Sequence, residues 1–185
     1  MGRVNRLYNV KCALAIFEEL CELNQGDNEA MHVKGAVVSE TSHLIRLLRD
    51  LFKSQKLAVL ATQKDGQPYT SLVAFVATGD LKYLLFATNR GTRKYANIAG
   101  DSRLAMLVDN RSNQETDFHN AVAVTATGKA EELKNSERES YVKIYLAKHP
   151  KLQEFVMSPT CALLRVVVES YYLVSRFQNV IELCP

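Results

Sequence analysis

At 185 residues, with 47% hydrophobic and 23% charged, the chain can bury one sizeable core and leaves little room for a second. Its 23 basic and 20 acidic residues leave a formal charge of +3. The two signs are interspersed from end to end, so no basic face for nucleic acid or anionic lipid is expected. Cys12, Cys21, Cys161 and Cys184 form no C-x-x-C pair, and His32, His43, His119 and His149 lie too far apart for paired helical ligation. No metal site follows from them, and the cysteines read as reduced packing residues.

In chain order, residues 1–35 form a weakly patterned extension to which the sequence assigns no role, and residues 36–185 form the domain. A helix is predicted from Val10 to Leu23, closed by the polar stretch Asn24 to Asn28. The apolar run Cys12–Phe17 is too short for a signal core or a membrane span, so a cytoplasmic protein with no membrane partner is expected. From Ser42, the spacing of Leu44, Leu47, Leu48, Leu51 and Phe52 predicts a helix with one buried face.

Three segments then read as a meander: Leu57–Thr62, Tyr69–Thr78 and Tyr83–Thr88. Asp65-Gly66 supplies a hairpin turn between the first two. Further strands are predicted over Arg103–Asp109 and Ala121–Leu133, the latter with a bulge at Gly128, separated by a polar loop from Asn110 to Asp117. Ser136 and Glu139 have capping-box spacing for a helix that Pro150 ends, and a short helix follows over Leu152–Met157. Cys161–Val168 and Ser170–Ile181 read as two last strands parted at Glu169-Ser170. Antiparallel strands in this number, with few helices, predict a mainly β fold with α (α+β), closed or partly closed as a barrel.

The most informative stretch is Thr88-Asn89-Arg90-Gly91-Thr92-Arg93-Lys94, where a strand runs through a polar turn into a helix start. Gly91 permits a tight turn and Thr92 is a good N-cap. Orphan amides and the positive helix end would face the turn, where Arg90, Arg93 and Lys94 add charge and Thr88 and Thr92 add hydroxyls. A phosphate monoester suits this set, although three cations in a polar turn are also an ordinary solvated surface.

In order and chemistry these motifs resemble the pyridoxamine 5′-phosphate oxidase-like family of FMN-binding antiparallel split β-barrels with flanking helices, from about Leu57 to Ile181. The sharpest match is Thr88 to Lys94. The resemblance implies FMN as cofactor, with Arg93 and Lys94 holding its phosphate and Thr88, Asn89 and Thr92 in the same motif. It also places Ser71, Leu72 and Val73 on the strand beneath the flavin ring, Ser71 standing where the oxidase has an arginine. It further implies a homodimer with FMN at the subunit interface. Asn110, Arg111 and Ser112 then either reach a partner's flavin or form a solvated loop.

Departures from the vitamin B6 oxidases are equally specific. Tyr145 fits the substrate-binding helix, but His149 and Val76 replace an arginine and a lysine, and the segment Asn179–Pro185 has neither arginine nor histidine. The expected function is therefore that of an FMN-dependent oxidoreductase on some other small molecule, with flavin N5 exchanging hydride; no residue is assigned a catalytic role. Alternatives are a haem-binding split barrel, with His119 or His149 as ligand, and a non-enzymatic flavin-binding or interaction module.

Overall fold

The computed structural model describes the backbone of residues 8–10, 28–175 and 179–185, with side chains over 41–175 and from 180 onward. Strand β1 (Tyr8–Val10) precedes the long helix α1 (Asn28–Ser54). Strands β2 (Leu57–Lys64), β3 (Gln67–Ala77) and β4 (Tyr83–Asn89) form the expected meander and lead into helix α2 (Arg93–Gly100). After β5 (Arg103–Asp109), the short helix α3 (Asp117–Asn120) and β6 (Val122–Glu132) comes helix α4 (Asn135–Lys148). A 3-10 turn at Pro150–Leu152, helix α5 (Gln153–Met157), and strands β7 (Cys161–Ser175) and β8 (Asn179–Leu183) complete the chain.

Six antiparallel strands close a barrel in the order β2-β3-β4-β7-β6-β5, with β5 returning to β2. Strand β8 extends the sheet from the far half of β7, and β1 pairs with β8 in parallel. The β2–β3 hairpin follows from Asp65-Gly66. Both residues adopt left-handed backbone, at φ 53 and 80, between paired Lys64 and Gln67. That is the primed turn whose twist matches two antiparallel strands.

Alternation along the strands separates two apolar layers. Inward residues such as Leu60, Phe75, Phe86, Met106 and Leu164 fill the barrel, and α1 adds Leu44, Leu48, Leu51 and Phe52. Phe52 meets Phe75 edge-on, with ring centroids 5.6 Å apart. Full burial of four such side chains contributes roughly 6–12 kcal/mol as an upper bound. The C-terminal half of α1 is thus part of the core, and the expected boundary after residue 35 falls inside this helix.

On the outside, α4 and α5 cover β3, β4 and β7 by packing Val142, Tyr145 and Val156 onto Val76, Leu85 and Leu163. The outer face of β2, β5 and the start of β3 has no such cover among the described residues. There the register sets Leu72, Val59, Leu107 and Thr125 in one row across β3, β2, β5 and β6.

Three expectations require correction. Glu169-Ser170 does not separate two strands, because β7 runs unbroken through it. Ser170 pairs with Thr127 while Val168 pairs with Gly128, so Glu169 is the extra residue of a bulge. A Cβ on Gly128 would lie 2.1 Å from the Val167 carbonyl oxygen, which explains the glycine there. Helix α4 begins at Asn135 with Lys134 at its cap and no side-chain capping bond, so Ser136 lies inside the first turn and the capping box does not form. The helix expected over Val10–Leu23 lies outside the described residues except for Val10, which closes strand β1.

Candidate functional site

Strand β4 delivers Thr88 to the end of the barrel, and the next four residues build a turn from their own side chains. Asn89 accepts the Gly91 amide on its Oδ1 at 2.8 Å and donates through Nδ2 to Thr160 Oγ1 at 3.0 Å. Gly91 is not in left-handed backbone; a Cβ there would sit 3.2 Å from Asn89 Oδ1, so the turn needs its small size rather than its freedom. Thr92 caps α2 by accepting the Tyr95 amide, donates its hydroxyl to the Asn89 carbonyl at 2.8 Å, and lies 3.0 Å from the Thr88 hydroxyl. With Thr92's proton committed, Thr88 donates in that pair. The two hydroxyls expected to face an anion are instead spent on the turn.

The three cations also divide. Arg90 is a structural clamp. Its guanidinium donates to the Pro159 carbonyl at 2.7 Å and pairs with Glu132 at 2.5 Å, and the Tyr95 hydroxyl adds a bond to the same carboxylate at 2.7 Å. Burial opposes ionisation of Glu132, but the bonds from Arg90 and Tyr95 outweigh it and hold the carboxyl below its ordinary value. Arg93 is exposed, with its guanidinium 5.3 Å over the Tyr69 ring and no carboxylate partner among the described residues. Lys94 is half-buried and likewise has no described ion-pair partner. The first turn of α2 contains no acidic residue. Free first-turn amides, a positive helix end and two uncommitted cations therefore share one surface.

Beneath this helix lies a buried polar cluster that the sequence did not reveal. Asn97, buried on α2, donates to Thr62 Oγ1 at 3.0 Å, and Thr62 donates to the Tyr69 carbonyl at 3.4 Å. Asn97 Oδ1 and Ser71 Oγ are buried and accept or donate no described bond. Asparagine and threonine in an otherwise apolar alternation were the available signals.

Along β3, Ser71 and Val73 face inward and Leu72 points out, 65% exposed. Val73 packs in the barrel core, so its contact with an external ligand would have to come from the backbone. Asn110, Arg111 and Ser112 form an exposed loop on the far side of β5. Asn110 Oδ1 accepts the Val122 amide at 2.7 Å, Arg111 pairs with Asp109 at 3.2 Å, and Ser112 bonds twice to the Asp117 carboxylate. Two clefts, of about 530 and 630 Å³, flank the Thr78–Asp80 turn, and neither is lined by Arg93 or Lys94. Arg93 leaves the cationic end of α2 exposed, with Lys94 half-buried beside it.

Tyr145 and His149 are withdrawn from solvent. Burial pushes the Tyr145 hydroxyl up to about 12. The His149 Nε2 lies 2.8 Å from the Phe75 carbonyl, which can only accept, so that nitrogen carries the proton. Burial, with Lys148 and Lys56 nearby, keeps the imidazole below its ordinary value despite that bond. His119 is on exposed α3. The described residues hold no cluster of metal-ligating side chains, and none of their helices is long and apolar enough to cross a membrane.

A family model described as pyridoxamine 5′-phosphate oxidase matches residues 44–175. No curated protein matches the chain. Among solved structures, it is similar to a protein of unknown function from Agrobacterium tumefaciens, with TM-score 0.64 and 21% identity over 74% of this chain and 58% of that one. A heme binding protein from Mycobacterium smegmatis gives TM-score 0.65 and 17% identity over 72% and 55%. A FAD-binding protein from Mesorhizobium loti gives 0.57 and 18% over 70% and 90%. The chain thus spans little more than half the length of the first two. At these identities the likeness is one of fold.

Proposed function

Because the chain belongs to the pyridoxamine 5′-phosphate oxidase family, we propose that it is an FMN-binding oxidoreductase acting on a small molecule, with the flavin bound between two protomers. The observation that carries this reading is the division of the three cations. Arg90 is consumed by Glu132, whereas Arg93 and Lys94 open the first turn of α2 with no carboxylate among the described residues to neutralise them. Two cations at the positive end of a helix oppose its dipole, an arrangement that an anion relieves. Ser71 and Asn97 add buried polar atoms that still lack partners. These residues fit a phosphate ester.

Bound FMN would supply hydride exchange at N5 of its isoalloxazine. Arg93 and Lys94 would hold the phosphate, and the backbone of Ser71–Val73 would lie along the rest of the cofactor. An isoalloxazine also needs apolar cover, and the uncovered row of Leu72, Val59 and Leu107 supplies one wall. A second copy of the chain supplies the other, which accounts for the open surface of one protomer. In this arrangement Asn110, Arg111 and Ser112 belong to a loop near the partner.

Oxidation of pyridoxamine phosphate itself is not supported. Val76 and Tyr145 are packed in the apolar layer between α4 and the sheet, and neutral His149 is bonded to Phe75, so those positions offer no cationic grip on a substrate phosphate. The haem alternative is weakened at His149 by its burial, whereas His119 lies on exposed α3.

The test is spectroscopic. Purified protein, or apoprotein titrated with FMN, should show flavin absorption bands and quench flavin fluorescence, and Arg93→Ala/Lys94→Ala should release FMN while affecting riboflavin little. A Soret band with no flavin uptake would replace this reading with haem binding; uptake of neither would leave an interaction module.

A further inference from the structure

We propose that the cleft between α1, α4 and the β3–β4 turn binds a small organic carboxylate with a flat apolar body. This cleft, about 530 Å³, is of ligand size. Its floor is apolar: Phe52 and Leu81 from the barrel core, Val76 from the outer layer, and Ile144 from α4, which is 40% exposed. Its polar side is cationic, with Arg49 and Lys53 from the last turns of α1 and Lys148 from the end of α4.

None of these three cations has a described carboxylate partner; the six ion pairs of the described residues all lie elsewhere. Arg49 donates to the Gly79 carbonyl at 3.2 Å. Lys148 donates to the Phe52 carbonyl at 2.7 Å, with its ammonium 4.0 Å from the Phe75 ring centroid. An ammonium has three donors, so this half-buried group retains bonding capacity toward the cleft. Burial also draws Lys148 down to about 8, the mark of a charge short of compensation. Asp80, on the adjoining turn, is occupied by the Thr78 hydroxyl at 2.5 Å and the Lys82 amide at 3.1 Å.

Charge and shape together select the ligand. A monoanion completes Lys148 at a smaller desolvation cost than a phosphate dianion, and an aromatic body fits an apolar floor from which water is readily displaced. The α2 phosphate surface shares no residue with this cleft. Tyr69, stacked under Arg93, is eight residues along β3 from Ala77, or roughly 26 Å at the usual strand rise. The cleft is therefore distinct from the phosphate surface, while Val76 lies three residues, roughly 10 Å, along β3 from Val73.

2-Naphthoate and its neutral isostere 2-naphthamide serve as probes in calorimetric titration of the full-length protein, with and without saturating FMN. Naphthoate is expected to bind at least tenfold more tightly, to shift the amide resonances of Gly79, Leu81 and Ala147, and to be indifferent to FMN. Lys148→Met should remove the preference for the anion, and the exposed double variant Arg49→Gln/Lys53→Gln should weaken naphthoate severalfold. Should Lys148→Met fail to fold, the double variant decides. Equal binding of the two probes, naphthoate affinity unmoved by the rim variant, resonance shifts elsewhere, or displacement by FMN would each overturn the proposal.

Discussion

Replacing Arg93 and Lys94 together by Ala separates a binding role from a structural one, because the two roles predict opposite balances. Charge-assisted bonds contribute about 1.5–3 kcal/mol each, so two to a phosphate amount to roughly 3–6 kcal/mol. Arg93 is exposed, which favours the lower half of that range. FMN affinity should accordingly fall about 10²- to 10³-fold. In the apoprotein the same change relieves two unfavourable charge–dipole interactions of about 0.3–1 kcal/mol each and loses one exposed cation–π contact of about 0.5–1 kcal/mol. Apoprotein stability should therefore stay within about 1.5 kcal/mol of the parent. Flavin fluorescence quenching gives the affinities for FMN and riboflavin, and urea unfolding of the apoprotein gives the stability. FMN affinity within threefold of the parent would refute the argument. So would an equal loss of riboflavin binding with stability intact, since a phosphate grip cannot affect a ligand without phosphate.

Gly128→Ala should destabilise the fold by about 1–3 kcal/mol or more, because its methyl would meet the Val167 carbonyl; a lowered urea midpoint with unchanged slope is the expected record. Glu132→Gln should loosen both Arg90 and Tyr95 and cost about 1 kcal/mol near neutral pH. Since the folded carboxyl titrates below its unfolded value, its contribution is present above the unfolded value and is lost as pH falls through the folded one. The difference between parent and variant should shrink accordingly in acid unfolding curves. Leu72→Asp places a charge in the uncovered row; if two copies pair across that row as proposed, sedimentation should show the parent as a dimer and the variant as a monomer, and a monomeric parent or a dimeric variant would refute the pairing.

Features governed by neighbours in sequence were legible. Asp65-Gly66 specifies its turn through backbone preference alone, and the apolar spacing from Leu44 to Phe52 finds the buried face of α1 without knowing what covers it. The bulge glycine was legible too, but its counterpart was not. Glu169-Ser170 has the composition of a turn, and the partner that makes it a bulge lies more than forty residues away. Ser136 and Glu139 show the same limit, since their spacing fits a capping box while the cap of α4 lies two residues earlier, at Lys134. At the candidate site, the motif drew attention to the turn but did not show the distribution of labour within it. That Arg90 belongs to Glu132, and that Thr88 and Thr92 bond each other, depends on where β6 and the segment before β7 arrive.

Several local costs of this fold lie at one end of the barrel, while another, the unpartnered Tyr145 hydroxyl, is buried on α4. Arg93 and Lys94 oppose the dipole of the helix they begin, and the buried oxygens of Ser71 and Asn97 lie beneath the same helix without partners. Each unpartnered buried polar atom costs about 1–3 kcal/mol. Other groups are satisfied closely: Arg165 meets Glu131, Glu137 and two tyrosine rings, and Tyr171 donates to the Leu81 carbonyl at 2.6 Å. A sequence able to compensate an arginine so fully at β7 was not constrained to leave two cations bare at α2. Two cations of one sign beside buried oxygens without described partners, all relieved by one kind of ligand, are what a binding site predicts. An apoprotein stabilised by FMN well beyond its stabilisation by riboflavin would express that relief directly, because a ligand that binds the folded chain raises its stability in proportion to the logarithm of its occupancy ratio.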